Sequence, residues 1–190
     1  MPLSTNASGQ SVAPSDEYLR PLARVVVGLG ANLGDPERAF RAAMPELRAL
    51  GTVVNASRLY LGKAVLGKGG GPRQPDYVNA ALHLRDCPFS AAALVPRLME
   101  IEQALGRVRV QRWAPRVLDL DLLWAGDVVC VLPQATVPHP RLHERAFALR
   151  PLLELVPDAR DPLTNTAYRA RLEGMGPDGL RVIGGTSWAQ

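Results

Sequence analysis

Short apolar runs alternate with amphipathic stretches along this chain. Arg24 to Leu29 concentrates Val25, Val26, Val27 and Leu29 and reads as a buried strand, and Gly30 to Gly34 reads as the turn that follows. Asp35 is a good N-cap with Pro36 at the first helical position, so a helix is predicted from there to about Leu50, with Phe40, Met44 and Leu47 on one face. Val53 to Leu61 reads as a second strand and Tyr77 to Leu84 as a third. Between them, Gly62 to Pro75 holds five glycines and two prolines, the composition of a mobile surface loop. Ser90 caps a predicted helix ending near Leu105. Val117 to Trp124 is the fourth strand, with Val128 to Leu132 as its candidate hairpin partner. Arg145 to Leu155 has a helical pattern that Pro151 is expected to kink or divide. Beyond residue 158 the pattern is irregular. No internal repeat is present, and the order of elements predicts an α+β fold with a mostly antiparallel sheet.

The fourth strand contains an unusual polar pattern. Leu118, Leu120 and Leu122 fall on one face, which sends Asp119 and Asp121 together to the other, roughly 7 Å apart at Cα. Two bare carboxylates at that spacing repel, and a divalent cation relieves the repulsion. Arg107, Arg109, Arg112 and Arg116 lead into the pair. Carboxylate-held metal beside several guanidinium groups suits a polyphosphate, whose oxygens each need a metal or a donor fork. The spacing alone leaves a second reading open, a strand whose polar face is simply solvated.

Composition narrows the classes further. With 190 residues and 47% hydrophobic content, the chain can bury a core without disulfides. Cys87 and Cys130 alone suggest a reduced, cytoplasmic setting. Residues 1 to 20 are rich in Ser, Pro, Ala and Gly without an apolar centre, unlike a signal peptide, so a flexible tail over 1–22 and a single domain over 23–190 are expected. No apolar stretch reaches membrane-spanning length. The formal charge of +4 is modest, and its arginines gather around 107–116 and 141–150. That favours a local anion site over a broad nucleic-acid face, and a monomer with neither a nucleic-acid nor a membrane partner is expected.

Three further patterns need weighing. Gly28-Leu29-Gly30-Ala31-Asn32-Leu33-Gly34 has the spacing GxGxxxG, which misses the dinucleotide fingerprint, and no acidic residue closes the second strand; a tight turn before a capped helix accounts for it. His139 and His143 are separated by Pro140 and lack an acidic or cysteine neighbour suited to zinc, so each is read as a single hydrogen-bonding group, with His139 facing a phosphate or a base. Aromatic residues make up only 5% of the chain, and Tyr77, Trp113 and Phe147 each stand beside a polar motif. Spacing alone would place Tyr77 and Phe147 in the core; ring stacking on a flat heteroaromatic substrate, read along its edge by Asn79, is the alternative.

Taken together, these segments resemble one family. Gly28 to Asp35 is similar to a GSNLGD opening, Gln74 to Asn79 to QPDYxN, Gly106 to Arg109 with Arg112 to Asp121 to GRxR and RWGPRxLDLD, and Thr136 to Phe147 to TVPHPRxHERxF. These are the signatures of the 6-hydroxymethyl-7,8-dihydropterin pyrophosphokinases of folate biosynthesis, and the resemblance covers about residues 24 to 157. It implies a ferredoxin-like sheet in a three-layer α/β/α sandwich, and transfer of pyrophosphate from ATP to the pterin hydroxymethyl oxygen with release of AMP.

It also implies roles. Asp119 and Asp121 would hold two Mg²⁺ ions, and Arg107 and Arg116 would neutralise charge on the transferred group. Arg109, Arg112, Arg116, Thr136, His139 and Arg145 would bind ATP, helped by Glu102 and the backbone near Leu122. Tyr77 and Phe147 would sandwich the pterin, Asn79 would pair with its edge, Trp113 would close over it, and Gly62 and Val65 would border it. Ala31 and Ala114 replace a usual Ser and Gly, with little effect expected. Tyr60 to Val65 departs from a segment that usually reads YxTxP, so Gly62 offers only backbone there. The glycine-rich loop that follows is expected to act as a lid. The competing reading, a basic RNA-binding module with exposed aromatics, accounts for charge and element order but leaves the Asp pair without a purpose.

Overall fold

The computed structural model describes residues 20–64, 74–106 and 115–190. The tail expected over residues 1–22 falls outside them as far as residue 19, as does most of the proposed lid, residues 65–73.

Strand β1 (Leu22–Ala31) is longer than the valine run alone suggested, because Leu22 and Ala31 are buried as well. Helix α1 (Pro36–Ala49) starts as expected: the Asp35 side chain accepts from the Arg38 N–H at 3.1 Å, and Phe40, Met44 and Leu47 face the core. The single second strand is in fact two, β2 (Thr52–Ala56) and β3 (Leu59–Gly62). Ser57 causes the break. Its N–H donates to the Ala81 carbonyl and its Oγ accepts from the Ala81 N–H, both at 2.9 Å, so a hydroxyl takes the ladder place of a carbonyl and the chain bulges. Both pieces run along β4 (Tyr77–Cys87). Helix α2 (Ala91–Ala104) follows its Ser90 cap, and β5 (Asp119–Trp124) its leucine pattern.

The expected hairpin with β5 does not form. Strand β6 (Cys130–Leu132) pairs instead with β7 (Ala135–Val137), since Gly126 turns the chain away at φ 63° and the close Leu132/Ala135 pairing folds β6 onto its successor. Helix α3 (Ala146–Leu155) passes through Pro151 undivided, as α1 and α2 pass through Pro45 and Pro96. Pro151 is itself buried, so tertiary packing outweighs the lost hydrogen bond. The stretch read as irregular carries α4 (Tyr168–Gly174), β8 (Arg181–Gly184) and a 3-10 turn at Ser187–Ala189. Its anchors, Tyr168 and Trp188, are isolated aromatics with no periodic neighbours, which is why pattern reading passed over them.

The main sheet runs β5-β1-β4-β3-β8 with every pairing antiparallel, and β2 continues the β3 row along β4. One face packs Val25, Val27 and Leu29 against α1, α2 and Trp188; the other packs Val26, Leu123 and Trp124 against α3 and Tyr168 of α4. The result is the ferredoxin-like α/β/α arrangement expected. Among the described residues, no helix is long and apolar enough to cross a membrane.

Candidate active site

Register decides where the two carboxylates stand. Leu118, Leu120 and Leu122 enter the core shared with α1 and α2, so Asp119 and Asp121 face the α3 side, opposite Gly30 and Gly28 of β1 respectively. Gly30 also faces Asn79 on β4, which puts Asn79, Gly30 and Asp119 in one row across three strands. The glycines keep this row open. A Cβ on Gly28 would lie 2.9 Å from Leu123 Cδ1, and one on Gly30 would lie 3.6 Å from Asn79 Oδ1. Gly28 and Gly30, the latter in β1 rather than in the expected turn, thus form the floor of a site, and Gly34, at φ 66°, makes the turn itself.

Neighbouring elements hold the carboxylate strand still. Glu102 of α2 is buried and accepts from the Leu120 N–H at 2.6 Å, a bond to the backbone between the two aspartates. Arg116 Nη1 donates to Asp119 Oδ2 at 2.5 Å. Burial opposes the charge on Arg116, but Asp119, then Tyr77 and Asp121, more than compensate and leave its proton held more tightly than usual. Asn32, by sequence an ordinary turn residue, ties three motifs together. Its Oδ1 accepts from the Arg116 N–H at 2.8 Å, its N–H donates to the Arg116 carbonyl at 3.0 Å, and its Nδ2 donates to the Gln74 side chain and the Pro75 carbonyl at 3.3 Å each.

A cavity of about 920 Å³ opens over the row. Of the residues singled out from sequence, Gly62, Tyr77, Asn79, Arg116, Asp119, Asp121, His139, Arg145 and Phe147 line it. Glu102 and Leu122 are buried away from its lining, and Thr136 is half-buried on β7 with its hydroxyl on the Leu132 carbonyl. Val65, Arg107, Arg109, Arg112 and Trp113 lie outside the described residues. Gln74, Arg141, Glu144, Met175, Asp178 and Leu180 also line the cavity and were not anticipated. For the last group the Pro177-Asp178-Gly179 turn signal was the available clue.

His139 is placed by its own backbone, whose N–H donates to the Leu123 carbonyl at 2.9 Å. The Arg141 N–H donates to its Nδ1 at 3.1 Å, so the neutral ring carries its proton on Nε2, which lies 3.5 Å from Arg145 Nη1. Two donors then converge on one spot, an arrangement that an anionic oxygen satisfies. Arg145 also lies over the Phe147 ring, with Cζ 5.6 Å from its centroid. Burial, then the Arg145 charge, push the His139 pKa down to about 4, against a weaker upward pull from Asp119. The imidazole is therefore neutral near pH 7.

A pH dependence follows. Between the ordinary 6.5 and about 4, the unfolded chain takes up a proton at His139 that the folded chain refuses. Its contribution to stability is complete above pH 6.5 and is lost as pH falls through that window. His139→Gln is expected to flatten the decline in melting temperature between pH 6.5 and 4; an unchanged slope would contradict this account.

Comparison with known proteins agrees with the geometry. Residues 26–157 match the family described as 7,8-dihydro-6-hydroxymethylpterin-pyrophosphokinase. The 2-amino-4-hydroxy-6-hydroxymethyldihydropteridine pyrophosphokinase of Synechocystis sp. is 39% identical over 153 residues, covering 80% of this chain and 75% of that protein. The protein of that name in Pseudomonas aeruginosa is 40% identical over 145 residues, covering 73% and 84%. In structure, the chain resembles the crystal structure of Plasmodium falciparum HPPK-DHPS A437G with SDX-DHP, with a TM-score of 0.62 at 13% identity, covering 82% of this chain and 46% of that one. The wild-type form of that protein with pterin and p-hydroxybenzoate gives 0.61 at 14%, covering 83% and 42%. At such identities the likeness concerns the fold alone, and this chain spans under half of those longer chains.

Proposed function

Because the chain belongs to the 7,8-dihydro-6-hydroxymethylpterin-pyrophosphokinase family, we propose that it transfers a pyrophosphoryl group from ATP to the hydroxymethyl oxygen of 6-hydroxymethyl-7,8-dihydropterin, releasing AMP, in folate biosynthesis. The observation that carries the reading is the row of Asn79, Gly30 and Asp119 across one cavity. Two strand spacings separate Asn79 from Asp119, roughly 10 Å at Cα. A bicyclic ring read at its edge by Asn79 can then present its hydroxymethyl group near the carboxylates.

Magnesium fits the donor set. Asp119 and Asp121 offer hard oxygen ligands side by side, and among the described residues no group of three or more His, Cys, Asp or Glu gathers into a protein-only cage. That is the pattern expected of Mg²⁺ held by one or two carboxylates and completed by phosphate oxygens and water, and we assign two ions to the pair. When bound, the metal supplies charge neutralisation and polarises the phosphoryl oxygens.

The chain's own residues do the rest. Arg116, with Arg107 from the neighbouring segment, balances charge on the transferred group, and its backbone tie to Asn32 fixes it relative to β1. Arg145 and the Nε2–H of His139 donate to phosphate oxygens. Arg109, Arg112, Thr136 and the backbone near Leu122 serve the nucleotide, while Glu102 acts through β5 by fixing the Leu120 N–H. Tyr77 on β4 and Phe147 on α3 take opposite faces of the pterin, with Gly62 bordering it; Val65 and Trp113 keep the pterin-binding roles that the family signature implies. In-line attack on the β-phosphorus is what distinguishes this transfer from an ordinary kinase reaction. The reading includes a monomer in the cytoplasm, in keeping with the buried, unpaired thiols of Cys87 and Cys130.

Product analysis with ATP, Mg²⁺ and the reduced hydroxymethylpterin tests the proposal. Stoichiometric AMP and pterin pyrophosphate are expected. ADP as the product, or no turnover, would overturn it.

A further inference from the structure

The family match ends at residue 157, yet the cavity wall continues beyond it. Met175, Pro177, Asp178, Gly179 and Leu180 form one side. Strand β8 then pairs with β3, Arg181 facing Leu61 and Val182 facing Tyr60, which delivers Leu180 beside Gly62. The fit is close: a Cβ on Gly62 would stand 2.5 Å from Leu180 Cδ2. Leu180 therefore fills the room that a side chain at position 62 would occupy. Gly62 in turn pairs with Tyr77, so this contact lies next to an aromatic ring of the cavity.

The segment is pinned rather than draped. Asp178, whose side chain is only 8% exposed, accepts the Leu180 N–H on Oδ1 at 3.0 Å and a bond from Arg150 Nε on Oδ2. Arg150 stands one turn beyond Phe147 on α3. The pin thus locates Leu180 relative to the helix that presents Phe147, just as the β3–β8 pairing locates it relative to the sheet that presents Tyr77 and Asn79. Burial raises the Asp178 pKa, but the bonds from Arg150 and the Leu180 N–H outweigh it and leave the net shift downward. The pin is accordingly charged and intact at neutral pH and opens only in acid, below the ordinary carboxylate range.

We infer that residues 175–180 are the acceptor-side wall of the cavity and that Leu180 is a specificity-determining contact for the flat ring of the acceptor, supplied by the C-terminal segment because position 62 has no side chain. The inference rests on the reading that this cavity takes the pterin between Tyr77 and Phe147.

Calorimetric titration of the full chain tests it, using 6-hydroxymethyl-7,8-dihydropterin in the presence of a non-hydrolysable ATP analogue and Mg²⁺. Leu180→Ala is expected to weaken pterin binding about tenfold, within the range for losing apolar contacts in a binding pocket, and to leave the affinity for the ATP analogue within about twofold. Leu180→Met, which nearly conserves volume, should bind as the parent does. Gly62→Ala should weaken pterin binding through its clash with Leu180, and Gly62→Ala/Leu180→Ala should recover part of the loss as the clash is relieved, while the ATP-analogue affinity stays level, a split that a merely structural change would not produce. Melting temperatures establish folding, and Leu180→Val substitutes for any alanine variant that fails to fold. Parent-like pterin affinity in Leu180→Ala, or strict additivity with Gly62→Ala, would overturn the inference while leaving the proposed reaction standing. Absence of pterin binding by the parent chain would overturn both.

Discussion

Asp119→Asn and Asp121→Asn are each expected to reduce AMP formation by on the order of 10³-fold or more while the protein stays folded. Either change conserves shape and removes one of the paired charges on the cavity face of β5. The strand does not depend on those charges for its place, since Leu118, Leu120 and Leu122 anchor it from the other face and Glu102 holds the Leu120 N–H. What would be lost is the charge proposed to hold metal against the phosphates. Asp119→Asn also releases Arg116 from its ion pair, so that variant should change the apparent Mg²⁺ requirement more than Asp121→Asn does. Steady-state rates over a magnesium series decide the matter. Near-normal turnover at saturating Mg²⁺ in either variant would sink the assignment.

Trp188→Ala is expected to cost about 3–5 kcal/mol of stability, the usual range for emptying a large aromatic site in a core. The indole is fully buried. Its ring meets Phe40 edge-on at 5.7 Å between centroids, and its Nε1–H donates to the Ser57 carbonyl at 2.8 Å. The substitution therefore opens a cavity under α1 and removes the partner of a buried carbonyl at the break between β2 and β3. Trp188→Phe keeps most of the packing and loses only the hydrogen bond, for about 1–3 kcal/mol. Denaturant unfolding measures both, and a loss below about 1 kcal/mol in Trp188→Ala would show that the tail does not close the core.

These expectations show what kind of information the chain displays openly. Periodicity and capping found β1, α1, α2 and β5, because each is specified by its own residues: valines in a run, Asp35 and Ser90 as caps, leucines alternating with aspartates. The cavity residues near Asp119, Tyr77, His139 and Phe147 were legible through motifs with a chemical logic. Features that depend on distant partners were not. Ser57 divides a strand only because Ala81 lies opposite, and Pro151 stays helical only because α3 is buried. Asn32 looks like an ordinary turn residue until Gln74, Pro75 and Arg116 surround it. The C-terminal segment lacks periodicity because its two anchors, Tyr168 and Trp188, face different cores.

The row of Asn79, Gly30 and Asp119 also bears on how the protein comes to be folded. Gly30 meets one neighbour on β4 and the other on β5, strands that the chain reaches only after long excursions. Closing such distant pairings costs chain entropy before any contact is gained, which slows folding relative to folds built from local contacts. No single strand or local hairpin of the sequence holds the whole row. The geometry of the row is thus a property of sheet closure, set by the pairing of distant strands rather than by a single motif.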